Sequence, residues 1–177
     1  MNEVIELIGD LWTAPIDFPY PVSGVTKVVL IPTNGIVKPN GHLVMGAGVA
    51  KQAAAKYFSL SWLLGLKVQA HGNNAFSVSL QAEDVYDFLF SWPTKYHYSY
   101  QSDLDLIVAQ AKRIMAMFDV LEAPDEVEEG MSAWPKTTVI GYAPLVGCGL
   151  GGLKWDEVKE ALAPIVKDRI FFVHRAR

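Results

Sequence analysis

The sequence has 177 residues, of which 51% are hydrophobic and 19% are charged, and its formal net charge is −4 at pH 7. A chain of this length and composition buries the core of one folded domain, which argues against disorder and against a second domain. The negative charge argues against a module that coats nucleic acid, but not against a nucleotide ligand. We therefore expect residues 1–177 to form a single domain.

The cysteine content and the N-terminal residues bear on the compartment. Cys148 is the only cysteine, so an intramolecular disulfide and a thiolate zinc site are both excluded. The chain opens on an acidic segment, and no apolar run approaches the roughly 20 residues that span a bilayer. We expect a cytoplasmic protein without membrane contact. The four histidines are too scattered to predict a metal site, and the oligomeric state stays open.

Runs of β-branched and aromatic residues alternate with helical patterns along the chain. In chain order, the predicted strands are 3–8, 27–31, 75–80, 85–90, 137–142 and 170–173. The predicted helices are 49–57, 61–66, 103–118 and one that begins at Trp155. This alternation predicts an α/β fold with a mixed or mostly parallel sheet of about six strands.

The clearest helical pattern runs from Asp103 to Phe118, with apolar residues at i, i+3, i+4 and i+7. Ser102, followed three residues later by Asp105, resembles a capping box that would begin this helix. The next segment, 119–129, carries six acidic side chains and no basic one. We expect it to be a surface connection. The rest of the chain holds 13 acidic and 15 basic residues, so its formal charge is +2.

Two glycine-rich segments each lie between a strand and a helix. The first is Met-Gly-Ala-Gly-Val-Ala at 45–50, and the second is Gly-Cys-Gly-Leu-Gly-Gly-Leu at 147–153. Glycine lets backbone amides approach a ligand, and amides at a helix N-terminus favour anions. Each loop alone is also typical of an ordinary loop-to-helix turn. Together they suggest two walls around a diphosphate.

Several polar side chains stand close to strand ends. Lys95 is either a solvated surface charge or, if desolvated, a nucleophile. Asp10 either caps a turn or accepts a hydrogen bond from the exocyclic amine of a base. Asn34 and Asn40 offer groups for hydroxyls, although Asn beside Gly is first a turn signal. Cys148 has no histidine near it in sequence, which favours a packing role over a nucleophilic one.

The order and spacing of five segments resemble the macro domain family. They are Gly9-Asp10-Leu11, Ile31-Pro32-Thr33-Asn34, 44–50, Pro93-Thr94-Lys95 and 146–155. The resemblance covers nearly the whole chain. It implies a three-layer α/β/α macro domain with a mixed central sheet, which binds ADP-ribose above that sheet and needs no cofactor.

The resemblance also implies a role for each segment. Asp10 would hold the adenine amino group, with Leu11 beside it. Asn34 would face the distal ribose, and Asn40 would orient its hydroxyls. The backbones of the glycine loops would clasp the diphosphate and the distal ribose; their residues are Gly46, Ala47, Gly48, Val49, Gly147, Cys148, Gly149, Leu150, Gly151 and Gly152.

The Met-Gly-x-Gly and Gly-Cys-Gly-Leu forms are similar to one branch of this family in particular. That branch contains terminal ADP-ribose protein glycohydrolases and bacterial antitoxins that remove ADP-ribose from DNA. It carries a lysine after the strand, which Lys95 matches, and this lysine would attack the anomeric carbon of an ADP-ribosyl adduct. The protein glycohydrolases have an Asp where this chain has Gly151, so that loop lacks an acid–base partner for Lys95.

The resemblance therefore implies an ADP-ribosyl glycohydrolase that uses Lys95 and Asn40. A non-catalytic ADP-ribose reader, an ADP-ribose 1″-phosphate phosphatase and a partner-binding domain without a ligand stay open as alternatives. The expected partner is ADP-ribose or an ADP-ribosylated macromolecule, either DNA or protein, without broad nucleic-acid binding. The sequence does not specify the physiological substrate.

Overall fold

The structure is a computed structural model that describes residues 3–21, 23–123 and 137–176, and its central element is a six-stranded sheet. The strands are β1 (Ile5–Ile8), β2 (Val25–Thr33), β3 (Ser77–Ser79), β4 (Phe88–Pro93), β5 (Thr138–Ala143) and β6 (Ile170–His174). Their order is β1-β6-β5-β2-β4-β3. Strand β3 pairs antiparallel with β4, and the other neighbouring pairs are parallel. The predicted mixed sheet is confirmed.

Helices cover both faces of this sheet. They are α1 (Ala14–Asp17), α2 (Gly48–Lys56), α3 (Leu60–His71), α4 (Leu104–Glu122) and α5 (Trp155–Val166). Helices α4 and α5 contribute to one core cluster, and α1, α2 and α3 contribute to the other. The predicted α/β/α layering is confirmed. Within the described ranges, no helix is long and apolar enough to cross a membrane.

Strand β2 separates the two halves of the core. Its side chains Val28 and Leu30 belong to the cluster that contains α4 and α5. Val29 and Ile31 belong to the cluster that contains α2 and α3. All four side chains are fully buried. Because successive side chains of a strand point to opposite faces, a strand covered on both faces reads as a continuous apolar run.

Some boundaries differ from the prediction. Strand β4 begins at Phe88 rather than Val85 and extends to Pro93. Helix α3 extends well beyond the predicted 61–66. It is apolar on most sides and shows no clear apolar stripe, so the sequence pattern did not indicate where it ends. The single turn of α1 was too short for a periodic pattern.

Part of the acidic segment, 124–129, lies outside the described ranges. That the chain forms one domain stays a prediction.

The N-cap of helix α4 lies one residue after the predicted cap. The Oδ1 atom of Asp103 accepts a hydrogen bond from the Leu106 amide at 2.9 Å, so Asp103 is the N-cap. The prediction that Ser102 caps this helix is wrong. Asp is as good a cap as Ser, and here the helix starts one position later. The Ser102 side chain is therefore free for another contact.

Helix α3 lies in direct contact with the loop 34–44. A Cβ atom built on Gly65 would lie 1.9 Å from the carbonyl oxygen of Gly41. The Leu43 amide donates to the Ser61 carbonyl at 2.8 Å, which holds the same loop against the helix. Glycine at position 65 is thus required by the close approach of two backbones.

The substitution Gly65→Ala should destabilise the protein, although Ala normally favours a helix interior over Gly by about 1 kcal/mol. The added methyl group would displace the Gly41 carbonyl, and such overpacking costs about 1–3 kcal/mol. Urea denaturation should show a lower free energy of unfolding than the wild type has. The exposed Ala55 of α2 provides the control, because Ala55→Gly reports the ordinary helix propensity. Equal or higher stability of Gly65→Ala would contradict the close approach.

Candidate functional site

A cavity of about 640 Å³ lies at the carboxyl ends of β2, β4 and β5. These three strands are parallel neighbours, so the segments that follow them meet at one edge of the sheet. Ligands of open α/β sheets bind at such an edge. The residues that line the cavity are 32–34, 44–50, 94–95, 98–100, 102, 144–145 and 147–151.

The first glycine loop forms one wall of this cavity. Gly46, Ala47, Gly48 and Val49 all line it. Because α2 begins at Gly48, the first amides of the helix have no intrahelical acceptor and lie at the cavity. They also form the positive end of the helix dipole. This wall is suited to an anionic ligand, as phosphate groups bind at helix N-termini.

The second glycine loop forms another wall. Its residues Gly147, Cys148, Gly149, Leu150 and Gly151 line the cavity, the last three of them in a short 3-10 turn. The amides of Cys148 and Gly151 donate to the Leu145 and Cys148 carbonyls, each at 3.2 Å, which leaves the amides of Gly147, Gly149 and Leu150 for a ligand. Its final residue, Gly152, does not line the cavity. Its carbonyl instead accepts a hydrogen bond from the Gln101 side chain at 3.3 Å.

Lys95 lies at this cavity together with both glycine loops. Its carbonyl oxygen accepts a hydrogen bond from Asn73 Nδ2 at 3.1 Å, and the next carbonyl, of Tyr96, accepts one from the Gly35 amide at 3.2 Å. These bonds hold the backbone from which the lysine side chain extends. Among the described residues that line the cavity, Lys95 is the only charged one. The cavity therefore carries a positive charge and no carboxylate.

The segment 95–102, which we call the tyrosine loop, closes the site between the two walls. The Asp103 amide donates to the Thr94 carbonyl at 2.8 Å, which closes the base of the loop. Thr94, Tyr98, Ser99, Tyr100 and Ser102 line the cavity, and sequence reasoning missed all five. The sequence carried a signal for this loop, because tyrosine alternates with other residues directly after Lys95.

Ser102 and Gly151 are in close contact. The Ser102 amide donates to the Gly151 carbonyl at 2.8 Å. A Cβ atom built on Gly151 would lie 2.3 Å from Ser102 Oγ. Ser102 is 6% exposed, and its hydroxyl has no hydrogen-bond partner among the described residues. Ser102 thus occupies the space where a residue-151 side chain would begin, which explains physically why this position is glycine.

Asn34 reaches the cavity, but its side chain is bonded within the protein. Its Nδ2 donates to the Val44 carbonyl at 2.8 Å, and its Oδ1 accepts from the Ile36 amide at 2.9 Å. It is 9% exposed. Asn34 therefore fixes the start of the loop that leads to the first glycine wall.

Asn40, predicted as the partner of Lys95, does not line the cavity. It is exposed, and its Oδ1 accepts a hydrogen bond from the His42 amide at 3.1 Å. This is the turn role that Asn favours before Gly. The structure thus does not bring Asn40 together with Lys95. Turn formation uses the Asn40 side chain. That Asn40 and Lys95 act together on one ligand stays a prediction.

Asp10 and Leu11 also lie outside the cavity lining. The Oδ1 atom of Asp10 accepts a hydrogen bond from the Trp12 amide at 2.8 Å, again in a turn. Leu11 is buried, and its carbonyl accepts a hydrogen bond from the Tyr86 hydroxyl. Trp12 Nε1 donates to Gln52 of α2 at 2.9 Å, which keeps this segment beside the helix that begins at the first glycine loop.

Cys148 lines the cavity without the features of an activated nucleophile. Its thiol lies 3.6 Å from the Val146 carbonyl, to which it donates. Burial raises the pKa of this thiol above its ordinary value, so less of it is thiolate at neutral pH. Within the described part of the chain, no three His, Cys, Asp or Glu side chains form a group that could hold a metal ion.

Comparison with known proteins relates the chain to solved structures. No family model matches the sequence, and no curated protein matches it. The macrodomain of Mycobacterium tuberculosis DarG is 18% identical, with a TM-score of 0.66 and full coverage of both chains. The macrodomain of Thermus aquaticus DarG is 20% identical, with a TM-score of 0.64 and 98% coverage of each chain. Thermosipho africanus DarTG in complex with ADP-ribose is 15% identical, with a TM-score of 0.64. The match covers all of this chain and 44% of that one.

The contact between Ser102 and Gly151 can be tested by restoring an acid at this position. Gly151→Asp should lower the free energy of unfolding by about 1–3 kcal/mol, because its Cβ would press on Ser102. The double substitution Ser102→Gly with Gly151→Asp removes the obstructing atoms and should recover at least half of that loss. Denaturation in urea measures both. A single Gly151→Asp variant as stable as the wild type would show that the space is not limiting.

Proposed function

This chain has the macrodomain fold, and from that premise we propose that its cavity binds ADP-ribose and that Lys95 hydrolyses ADP-ribosyl adducts there. The single observation that carries the proposal is the lining of the cavity. Two glycine loops and one lysine surround it, and no described lining residue is acidic. A diphosphate needs amide donors and positive charge, and both are present. The DarTG structure that holds ADP-ribose has the same fold along the whole of this chain.

The size and walls of the cavity support this ligand. Small-molecule sites of about 300–1,000 Å³ bury most of a ligand of this size, and the cavity measures about 640 Å³. The amides of the loop 46–49, and those of Gly147, Gly149 and Leu150, are the groups available to the diphosphate. Lys95 follows the end of β4, whereas the loops follow β2 and β5. The lysine therefore approaches a bound ligand from a third direction.

The proposed reaction uses the Lys95 side chain, in its neutral amine form, as a nucleophile. Its Nζ atom forms a bond to the anomeric carbon of the distal ribose. The bond from that carbon to the acceptor breaks, the electron pair leaves with the acceptor, and the acceptor takes up the proton that the amine loses. Water then adds to the anomeric carbon and displaces the amine, which releases ADP-ribose and regenerates Lys95.

The neighbours of Lys95 limit the chemistry to hydroxyl groups. Ser102 contributes a buried hydroxyl that bonds to no described residue, Tyr98 and Tyr100 contribute exposed hydroxyls, and the exposed Ser99 hydroxyl bonds to His97. Glycine at 151 leaves no carboxylate in the second loop. In place of a carboxylic acid, the lysine itself passes its proton to the leaving group, either directly or through one of these hydroxyls.

A second candidate, a non-catalytic ADP-ribose reader, is favoured by the absence of any described acidic residue at the cavity. In this function Lys95 would contribute only its charge. A lysine-to-arginine substitution separates catalysis from binding, because Arg keeps the positive charge but does not lose its proton in proteins.

We expect Lys95→Ala and Lys95→Arg both to lose hydrolysis of ADP-ribosylated DNA or ADP-ribosylated protein by about 1,000-fold or more, since both lack the nucleophile. Affinity for ADP-ribose should stay within about threefold in Lys95→Arg, because its charge is retained. Release of ADP-ribose from each adduct measures turnover, and calorimetry measures binding. Lys112→Ala, an exposed position on α4, is the matched control.

Three outcomes separate the alternatives. Wild-type turnover by Lys95→Arg would show that the lysine acts through its charge alone. Binding of ADP-ribose by a wild-type protein that hydrolyses neither adduct would establish the reader and reject the glycohydrolase. Phosphate release from ADP-ribose 1″-phosphate, without hydrolysis of either adduct, would assign the cavity to the phosphatase.

A further inference from the structure

A second cavity, of about 540 Å³, adjoins the first. The two cavities share the residues Val44, Met45, Gly46 and Tyr98. The rest of the second cavity is lined by Ile36, Val37, Lys38, Pro39, Leu43, Ala54 and Ser61. Its walls are thus mostly apolar, with one lysine. None of these additional residues belongs to the glycine loops or to the proposed reaction.

Tyr98 lies between the two cavities and is 54% exposed. Its ring centroid is 4.2 Å from that of His97, and the centroid of Tyr100 is 5.0 Å from His97 on the same loop. The Ser99 amide donates to His97 Nδ1 at 3.1 Å. These contacts within the loop hold the aromatic rings in place. An exposed, fixed aromatic face is a surface on which a nucleobase stacks.

The stretch of chain that lines most of the second cavity differs in charge from the whole chain. Residues 18–82 contain five lysines and no acidic residue, whereas the whole chain has a net charge of −4. This stretch supplies every residue of the second cavity except Tyr98. Lys38 and Lys51 are exposed, and neither forms an ion pair with another described residue. A local positive field of this kind attracts phosphate groups to one face of an acidic protein.

We propose that the second cavity is a subsite for a neighbouring nucleotide of a single nucleic-acid strand whose ADP-ribosylated nucleotide is held at the first cavity. This inference rests on the proposed function. The base of that neighbour stacks on Tyr98 and fits between the apolar walls, and Lys38 contacts its phosphate. Tyr98 thus lies between the ADP-ribosyl group and the strand that carries it.

The observations favour a nucleic-acid strand over a protein segment. An acidic peptide would satisfy Lys38 but would leave the exposed Tyr98 face without a planar partner. A nucleotide supplies both a planar group and an anion. The second cavity holds one nucleotide rather than a long stretch of the strand, which agrees with the overall negative charge of the chain.

Binding of a short fluorescein-labelled oligothymidine, measured by fluorescence anisotropy at low salt, tests the subsite. Tyr98→Ala should weaken this binding by about tenfold, and Tyr98→Phe should retain it, because the stacking face is kept. Tyr96→Ala is the matched control, since Tyr96 is 55% exposed but lines neither cavity.

The salt dependence provides a second readout. Lys38→Ala should reduce the slope of log K against log salt concentration by about 0.7, the loss expected for one phosphate contact with a single strand. Lys112→Ala should leave that slope unchanged. Calorimetry with free ADP-ribose should give the same affinity for Lys38→Ala and the wild type, since Lys38 does not line the first cavity.

The outcomes distinguish this inference from the proposed function. If ADP-ribose binds and is released from adducts, but Tyr98→Ala and Lys38→Ala leave oligothymidine binding unchanged, the subsite is wrong. If both variants lose oligothymidine binding as expected in a protein that does not bind ADP-ribose, the subsite stands and the proposed function fails. If both variants lose binding of an acidic peptide and not of oligothymidine, the occupant is a protein segment and the nucleic-acid proposal is overturned.

Discussion

The parallel pairing of β2 with β4 on one side and with β5 on the other is the constraint on which the site depends. Parallel strands cannot be joined by a tight hairpin, so each of these strands is followed by a crossover that contains a helix. The crossovers begin at the same edge of the sheet. The loop into α2 is the first glycine loop, the loop into α4 is the tyrosine loop, and the loop into α5 is the second glycine loop. Three segments far apart in sequence thereby surround one cavity.

Backbone hydrogen bonds between these loops fix the shape of that cavity. Ser102 bonds to Gly151, Asp103 bonds to Thr94, and Gly35 bonds to Tyr96. A site held in this way loses little conformational entropy when a ligand binds. The same contact places Ser102 Oγ where a side chain at position 151 would begin. Among the described residues that line the cavity, Lys95 is the only charged one, and most of the other polar side chains are hydroxyls.

The sequence predicted the parts of the site that have local signals. Glycine-rich loops between strands and helices, and a lysine directly after an apolar strand, were sufficient to place both walls and Lys95. The roles of Asn40 and Asp10 were ambiguous in the sequence, because Asn and Asp at turns bond the nearby backbone. The structure shows such a turn bond at both positions. The contact of Ser102 with Gly151 could not be predicted, since it depends on how two distant loops pack and on a helix that starts one residue later than its pattern indicated.

Titration of the wild-type protein with ADP-ribose in a calorimeter tests the central claim most directly, namely that the two glycine loops and Lys95 form a binding site for this ligand. We expect saturable binding of one ADP-ribose molecule per chain, and loss of that heat when ADP-ribose is replaced by ribose, which lacks the diphosphate. Absence of binding at millimolar ADP-ribose, or equal binding of ribose, would contradict it.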